Sequence, residues 1–477
     1  MRIILNILFL LCANILIGQS SLFTSLHDQY TGFKEERLLD RRFKHYDIEP
    51  IIKELPASFT VKKEGESVEG RAIYSIRIGQ GTQTVLLWSQ MHGDEPTATG
   101  ALFDIFRFFQ ATDDGFDDLR DRLLKELTIV FIPMLNPDGT AHFSRRNALG
   151  IDLNRDALRL SSPEAQILKR VRDELDADWG FNLHDQSRFY GAGYPTDNMA
   201  TLAFLAPAYD FARHTNTNRE RSMQLIAELN KHLQHYIPKK VARYSDAFEP
   251  RAFGDNMQKW GTSTILIESG SYPGDREKQY IRQLNFVSLL YAFNAFTSKS
   301  YNAYTKADYK TIPYNKSGAF NDLILREVQF DYQGYTAFVD IAFDLDERDY
   351  NENRQFYFNA RIDDIGDLSY SRAFQDLPAA GYTASIAGIY PETIDNIEAL
   401  QALNINETLA KGIGVVQVRE LNTSSAIKAQ LPFLAIEIGG KFDTEIRPGS
   451  NPPLILRNKK GVVVYAVING RLIPVKE

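Results

Sequence analysis

The chain has 477 residues, too many for one typical domain, and 44% of them are apolar, enough to fill complete cores. Its 61 acidic and 54 basic residues leave a net charge of −7 with no basic block, which argues against a nucleic-acid partner. The single cysteine, Cys12, lies in an N-terminal apolar run, so the chain beyond it has no thiol nucleophile, no cysteine-ligated metal and no disulfide.

Residues 1–19 read as a secretory signal peptide. Arg2 supplies a short positive region, residues 3–17 an apolar core broken by Asn6 and Asn14, and Gly18, Ser20 and Ser21 small residues near a cleavage point. The run is shorter than the roughly 20 residues of a membrane-spanning helix. Leu11 stands before Cys12 where a lipoprotein signal wants a small residue. The mature protein is therefore expected to be secreted or periplasmic, with no stable membrane span. Residues 20–58 read as a helical segment and linker, with His27 and His45 solvated.

Residues 61–78 read as a hairpin leading to Val85-Leu86-Leu87-Trp88, an apolar run of the kind a buried strand needs. His92, Gly93, Asp94 and Glu95 follow. Pro96 suits a first helical position, and Leu102, Ile105, Phe106 and Phe109 recur at helical spacing. His92 and Glu95 thus sit where a strand hands over to a helix, the edge at which open α/β sheets bind ligands. Residues 127–135 read as a second buried strand, ending in the turn Asn136-Pro137-Asp138-Gly139. The arginine- and asparagine-rich stretch 144–156 lacks periodicity and reads as an anion-binding loop. Residues 178–183 form a short strand ending at His184, and residues 262–267 another ending at Glu268. His232 and His235 lie on a helix expected over 219–237. They are either a rival metal pair or a solvated face, and no strand-end carboxylate accompanies them.

Strands alternate with helices through residues 59–298, so the fold class expected there is α/β, with a mixed, mostly parallel sheet flanked by helices. Residues 299–320 are polar and tyrosine-rich and read as a linker. Residues 321–477 carry short apolar runs at 337–343, 356–361, 414–419, 434–438 and 462–467. With the hairpin signal Asn469-Gly470 and a helix near 394–403, they read as a β-rich accessory domain.

Four strand ends or loops carry polar residues that can meet at one sheet edge, and two histidines with one carboxylate form a known catalytic zinc set. Residues 65–274 resemble the M14 family of zinc metallocarboxypeptidases. The likeness rests on Glu69-Gly70-Arg71, His92-x-x-Glu95, Asn136-Pro137-Asp138-Gly139, Arg145 with Gly150-x-Asp152-Leu153-Asn154-Arg155, and Glu268, in that order. It implies one Zn2+ held by His92, Glu95 and His184, with Glu268 as general base and Arg145 stabilising the oxyanion. It also implies that Asn154 and Arg155 grip the terminal carboxylate of a peptide or protein substrate. Tyr244 stands for the family's substrate-covering tyrosine, Arg251 or Phe253 for a pocket-lining residue, and Asp152 for a partner orienting a histidine. Arg146 reads as a solvated neighbour. Removal of C-terminal residues is the activity implied. A peptidoglycan stem-peptide carboxypeptidase or amidase would share these residues, as would an inactive binding module; such a module would usually have lost a ligand or the base, and none is missing. The Asn136–Gly139 turn favours a peptidase over the related deacylase branch.

Overall fold

The structure, a computed structural model, describes residues 22–476, so the expected signal peptide and Cys12 lie outside the described residues. The chain divides into two units between Ser317 and Gly318. Among the described residues no helix is long and apolar enough to cross a membrane.

The first unit contains β1 (Thr60–Glu66), β2 (Ala72–Ile78), β3 (Gln83–Ser89), β4 (Leu127–Ile132), β5 (Trp179–Asp185), the short β6 (Gly191–Ala192), β7 (Leu202–Leu205), β8 (Val241–Arg243) and β9 (Ser263–Ser269). All but β6 form one sheet in the order β1-β2-β4-β3-β5-β9-β7-β8. The pairings β3–β4, β3–β5, β5–β9 and β7–β8 are parallel, and the remainder antiparallel. The central strands are apolar without alternation because both faces are covered. Val85 and Leu87 enter one core, and Leu86 and Trp88 the other.

The helices are α1 (residues 22–28), α2 (His45–Lys53), α3 (Thr97–Gln110), α4 (Asp117–Glu126), α5 (Pro137–His142), α6 (Pro163–Leu175), α7 (Thr217–Tyr236), α8 (Phe253–Lys259), α9 (Gln279–Ser298) and α10 (Lys306–Thr311). α3, α7 and α9 supply the first core, while α6 and α8 supply the second. Pro96 stands one residue earlier than expected, at the N-cap of α3. The expected positions Leu102, Ile105, Phe106 and Phe109 are all buried, each contributing on the order of 1.5–3 kcal/mol.

Two expected linkers are structured. In residues 20–58, Phe23, Leu26, Tyr30, Phe33 and Ile48 join the main core. Asp104 of α3, wholly buried, accepts from the Tyr30 hydroxyl at 2.9 Å and the Glu35 amide at 2.7 Å, and it pairs with Arg282 of α9. The segment is therefore pinned by burial and by a buried charge. In residues 299–320, Tyr301, Tyr309 and Ile312 are buried in the same core, and β10 (Asn315–Lys316) pairs with β6. Tyrosine-rich composition there means packed rings with polar tips, not a solvated tether.

The histidines expected in solvent are also engaged. His45 Nε2 lies 2.8 Å from the Ala72 carbonyl oxygen, and the His27 ring lies 4.1 Å from that of Tyr236. His232 stacks on Phe23 at 5.4 Å and lies 4.5 Å from Tyr291. It packs between two aromatic rings and does not stand on a freely solvated face.

The second unit is β-rich. β11 (Phe320–Tyr332), β12 (Tyr335–Tyr350), β13 (Gln355–Gly366), β14 (Arg372–Pro378) and β15 (Thr383–Ile386) are followed by β16 (Gly388–Ile389), β17 (Ile394–Asn396), β18 (Ile413–Glu420) and β19 (Leu434–Glu437). The last strands are β20 (Leu454–Arg457), β21 (Val463–Ile468) and β22 (Arg471–Pro474). β11 to β15 and β20 to β22 form one eight-stranded sheet, and β16 to β19 a parallel four-stranded one. α11 (Ile397–Leu400), near the expected helix, and α12 (Ile405–Ala410) pack on strands of the smaller sheet, and α13 (Ser425–Gln430) packs on β13 and β19. Asn469 and Gly470, with φ of 49° and 66°, make the two-residue turn between β21 and β22.

Candidate metal centre

The loop after β3 is shaped by the turn after β4. The Asn136 side-chain amide donates to the Met91 carbonyl at 3.2 Å and to the Arg145 carbonyl at 3.4 Å, while its oxygen accepts from the Gly139 amide at 2.9 Å. Gly93 lies so close to this turn that a Cβ there would fall 2.0 Å from the Gly139 carbonyl carbon. No side chain fits. Asp138, fully buried, accepts from Ser67 Oγ at 2.7 Å and from Arg71 Nη1 at 2.6 Å, which docks the β1–β2 hairpin on the same turn. The sequence motifs are thus one bonded assembly that presents His92, Glu95 and Arg145 together.

His184 comes from the end of β5, within the strand and not beyond it. His92 Nδ1 lies 2.8 Å from Glu95 Oε1, His184 Nδ1 lies 2.6 Å from Glu95 Oε2, and the two Nδ1 atoms are 3.2 Å apart. One ligand atom from each of the three residues falls within 4.8 Å of the others. Burial alone would lower the pKa of His92, but the Glu95 charge and the Asp152 hydrogen bond outweigh it, pushing it up to about 9. Burial works against the charge on Glu95 as well, yet the two imidazoles hold its carboxyl well below the usual range. The donor set fits a zinc ion. His92 Nε2 faces Asp152 Oδ1 at 3.1 Å, and donation there leaves the Nδ1 lone pair aimed at Glu95 and His184. Once His92 gives up its Nδ1 proton, three lone-pair donors face one another at distances that suit a cation between them.

Asp152 also accepts from Arg145 Nε at 3.0 Å and from the Asn154 amide at 2.9 Å. Arg145 Nη1 lies 3.1 Å from His92 Nδ1, so the expected oxyanion donor borders the triad. Glu268 is paired in register beside His184 on the neighbouring parallel strand. It is buried, and burial first and Glu95 second raise its carboxyl well above the ordinary value. Asn154 and Arg155 lie on a single 3-10 turn, Leu153–Arg155. Asn154 Oδ1 accepts from the Phe253 amide at 2.9 Å, and Arg155 Nε lies 3.5 Å from Glu249. Tyr244 follows β8, its ring 6.4 Å from that of Tyr190, and burial, then the Glu268 charge, then Tyr190 raise its hydroxyl. Arg251 grips Glu249 through Nε and Nη2, whereas Phe253 is wholly buried. Arg146 donates to the Gly150 carbonyl at the surface.

Sequence reasoning did not single out Asp185, Lys278, Glu249 or Tyr190. Asp185 adjoins His184, which is the only hint the sequence holds. Lys278 arrives from the helix after β9, and nothing local marks it.

Residues 48–242 match the family model described as zinc carboxypeptidase, Peptidase_M14. That span includes His92, Glu95, Arg145, Asn154, Arg155 and His184 and stops before Tyr244 and Glu268. A probable carboxypeptidase 2 of Arthroderma benhamiae is 23% identical over 164 residues, 34% of this chain and 28% of that protein. Carboxypeptidase 2 of Trichophyton rubrum is 24% identical over 144 residues, 30% of this chain and 25% of its own. The chain thus spans about a quarter of the length of the curated relatives it matches. Among solved structures, a metallo-carboxypeptidase from Burkholderia cenocepacia aligns at 19% identity and a TM-score of 0.43, covering 54% of this chain and 69% of its own.

Proposed function

We propose that this chain, whose residues 48–242 carry an M14 zinc carboxypeptidase domain, is an exported zinc-dependent metallocarboxypeptidase that removes C-terminal residues from peptides. The observation that carries the reading is the convergence of His92, Glu95 and His184 within 4.8 Å, with Glu268 in register on the adjacent strand. Zinc held by the triad supplies Lewis acidity and makes water a nucleophile at neutral pH.

The chain's own residues do the rest. Glu268 takes the proton of the attacking water and returns it to the leaving amine. Burial and the Glu95 charge raise its carboxyl above the ordinary value, which makes it a stronger base than a free carboxylate. Arg145, fixed by Asp152, donates to the oxygen of the reacting carbonyl. A preorganised donor of this kind is worth about 2.7–4 kcal/mol in the transition state. Arg155, with its guanidinium partly exposed beside Glu249, takes the substrate's terminal carboxylate in a two-oxygen grip, and Asn154 braces the turn that presents it. Tyr244 closes over the bound residue. An uncharged C-terminus leaves Arg155 without its partner, which restricts cleavage to the last bond.

The test is a zinc titration of the purified mature protein, followed by a peptide panel with free and amidated C-termini read by mass spectrometry. One zinc per chain and trimming of free C-termini only are expected. No zinc uptake, or equal cleavage of amidated peptides, overturns the reading. Muropeptides in the same panel show whether stem peptides are the preferred substrate.

A further inference from the structure

Three segments carry the proposed ligands and base: the turn into α3 (Glu95), the end of β5 (His184) and the end of β9 (Glu268). One side chain outside them touches the last two directly and reaches the first through Asp185. Lys278 Nζ donates to the Ser269 carbonyl at 3.0 Å, one residue past Glu268, and to Asp185 Oδ2 at 3.1 Å, one residue past His184. The same Asp185 oxygen accepts from Thr97 Oγ1 at 2.6 Å, two residues past Glu95. The Asp185 amide in turn donates to Glu95 Oε2 at 3.3 Å.

The backbone of Lys278 is fixed for this task. It stands at the N-cap of α9 with φ of 52°, in the left-handed region. Asp275 accepts from the amides of Gln279, Tyr280 and Ile281 and so caps the helix in its place. Freed from capping, the lysine chain turns back towards the strand ends, and 14% of it is exposed. Asp185 is 6% exposed, and its other oxygen is buried with no hydrogen-bond partner. The ammonium is therefore the charge that permits this carboxylate to sit behind His184.

We propose that Lys278 is a positioning residue that locks the last rung shared by β5 and β9, Asp185 with Ser269, and so holds the His184 and Glu268 side chains of the rung before it in their working orientation. The proposal rests on the carboxypeptidase reading for its kinetic consequence, but not for its effect on metal retention. Ligand and base lie on separate strands, and errors of about 1 Å in such a pair cost about 100-fold in rate.

The experiment compares wild type, Lys278→Met, Lys278→Arg, Asp185→Asn and the double variant Lys278→Met with Asp185→Asn, all as the full chain. It reads the thermal midpoint, zinc release to a chromogenic chelator, and kcat and KM on a C-terminally free peptide. For Lys278→Met, kcat is expected to fall about 10- to 100-fold with KM within about threefold, and zinc release to quicken about tenfold. Lys278→Arg, which keeps the charge, should recover most of the lost kcat. The double variant should be no worse than the weaker single, since both act through one contact. A Lys278→Met protein with kcat and zinc release within twofold of wild type overturns the proposal, as does a double variant whose losses simply multiply. If wild type binds zinc but cleaves nothing, the carboxypeptidase reading fails alone, and the zinc-release comparison still decides the role of Lys278. Should Lys278→Met fail to fold, Asp185→Asn and Lys278→Arg carry the same comparison.

Discussion

Replacing Asp152 by asparagine probes the centre without touching a ligand. The carboxylate accepts three hydrogen bonds: from His92 Nε2 at 3.1 Å, Arg145 Nε at 3.0 Å and the Asn154 amide at 2.9 Å. Burial alone would raise its carboxyl, but His92 and Arg145 together hold it well below the usual range. Asparagine has the same shape but only one acceptor. If that oxygen stays with His92 and Asn154, the new amide faces the Arg145 guanidinium, donor against donor. A hydrogen bond to a charged group contributes about 1.5–3 kcal/mol, so the loss on the Arg145 side corresponds to roughly 10- to 150-fold in kcat/KM. Zinc affinity should fall about 10-fold, the low end of the range for partners that orient a ligand histidine. Chelator competition measures the affinity, and initial rates on a free-C-terminus peptide measure the other term. An Asp152→Asn protein within twofold of wild type in both would refute the claim that one carboxylate aligns His92 and Arg145.

Other outcomes follow from the same geometry. Glu268→Gln should keep one zinc per chain and lose about 10²- to 10⁴-fold in kcat, as for removal of a positioned general base; retained turnover would assign the proton transfer elsewhere. Zinc uptake at pH 7 should release protons, because His92, pushed up to about 9, is protonated before the ion enters. Calorimetry in buffers of different ionisation enthalpy reads this, and a buffer-independent heat would contradict it. Away from the centre, burial first and Lys231 second push His232 down to about 4. A neutral native imidazole means that the unfolded chain binds more protons between pH 4 and 6.5. Its contribution is complete above 6.5 and is lost on acidification towards 4, by at most about 3 kcal/mol. His232→Phe should flatten the melting midpoint across that interval. A chain ending at Ser317 keeps both cores of the first unit and should still bind zinc; loss of binding would tie the second unit to the centre.

Much of the centre was legible because its residues adjoin apolar runs. A buried parallel strand is an unbroken hydrophobic segment, so its end can be found, and chemistry at an α/β sheet edge gathers at strand ends. His92, His184 and Glu268 were found in that way. The strand ends were misplaced by two residues at β5 and β9 because His184 and Glu268 continue the ladder while already polar. What stayed hidden depends on distant packing. Residues 22–58 look like a polar lead, yet Tyr30 and Glu35 close over a buried Asp104–Arg282 pair contributed by two other helices. Tyrosines 301 and 309 gave a linker composition and a core position. His232 carried no sign of its aromatic neighbours, which arrive from residues 23 and 291.

The charges at the centre complete the argument for a dication. Asp94, Glu95, Asp152, Asp185 and Glu268 are five carboxyls gathered at one sheet edge, and Arg145 and Lys278 are the permanent cations paired with them. Glu95 and Asp152 are held ionised by the histidines and Arg145. The others carry the cost. Burial and then Glu95 push Asp94 up to about 6, and burial likewise raises Asp185 and Glu268. A purely structural network would settle with its acids matched by arginine or lysine, because an unpaired buried charge is expensive. Here Asp94 and Glu268, whose carboxyls are raised, feel the charge of Glu95, which with the two imidazoles forms a donor set that fits a divalent ion. A divalent ion among those donors would relieve the Glu95 field felt by Asp94 and Glu268. The same step would leave the Glu268 carboxyl free to exchange a proton with substrate water.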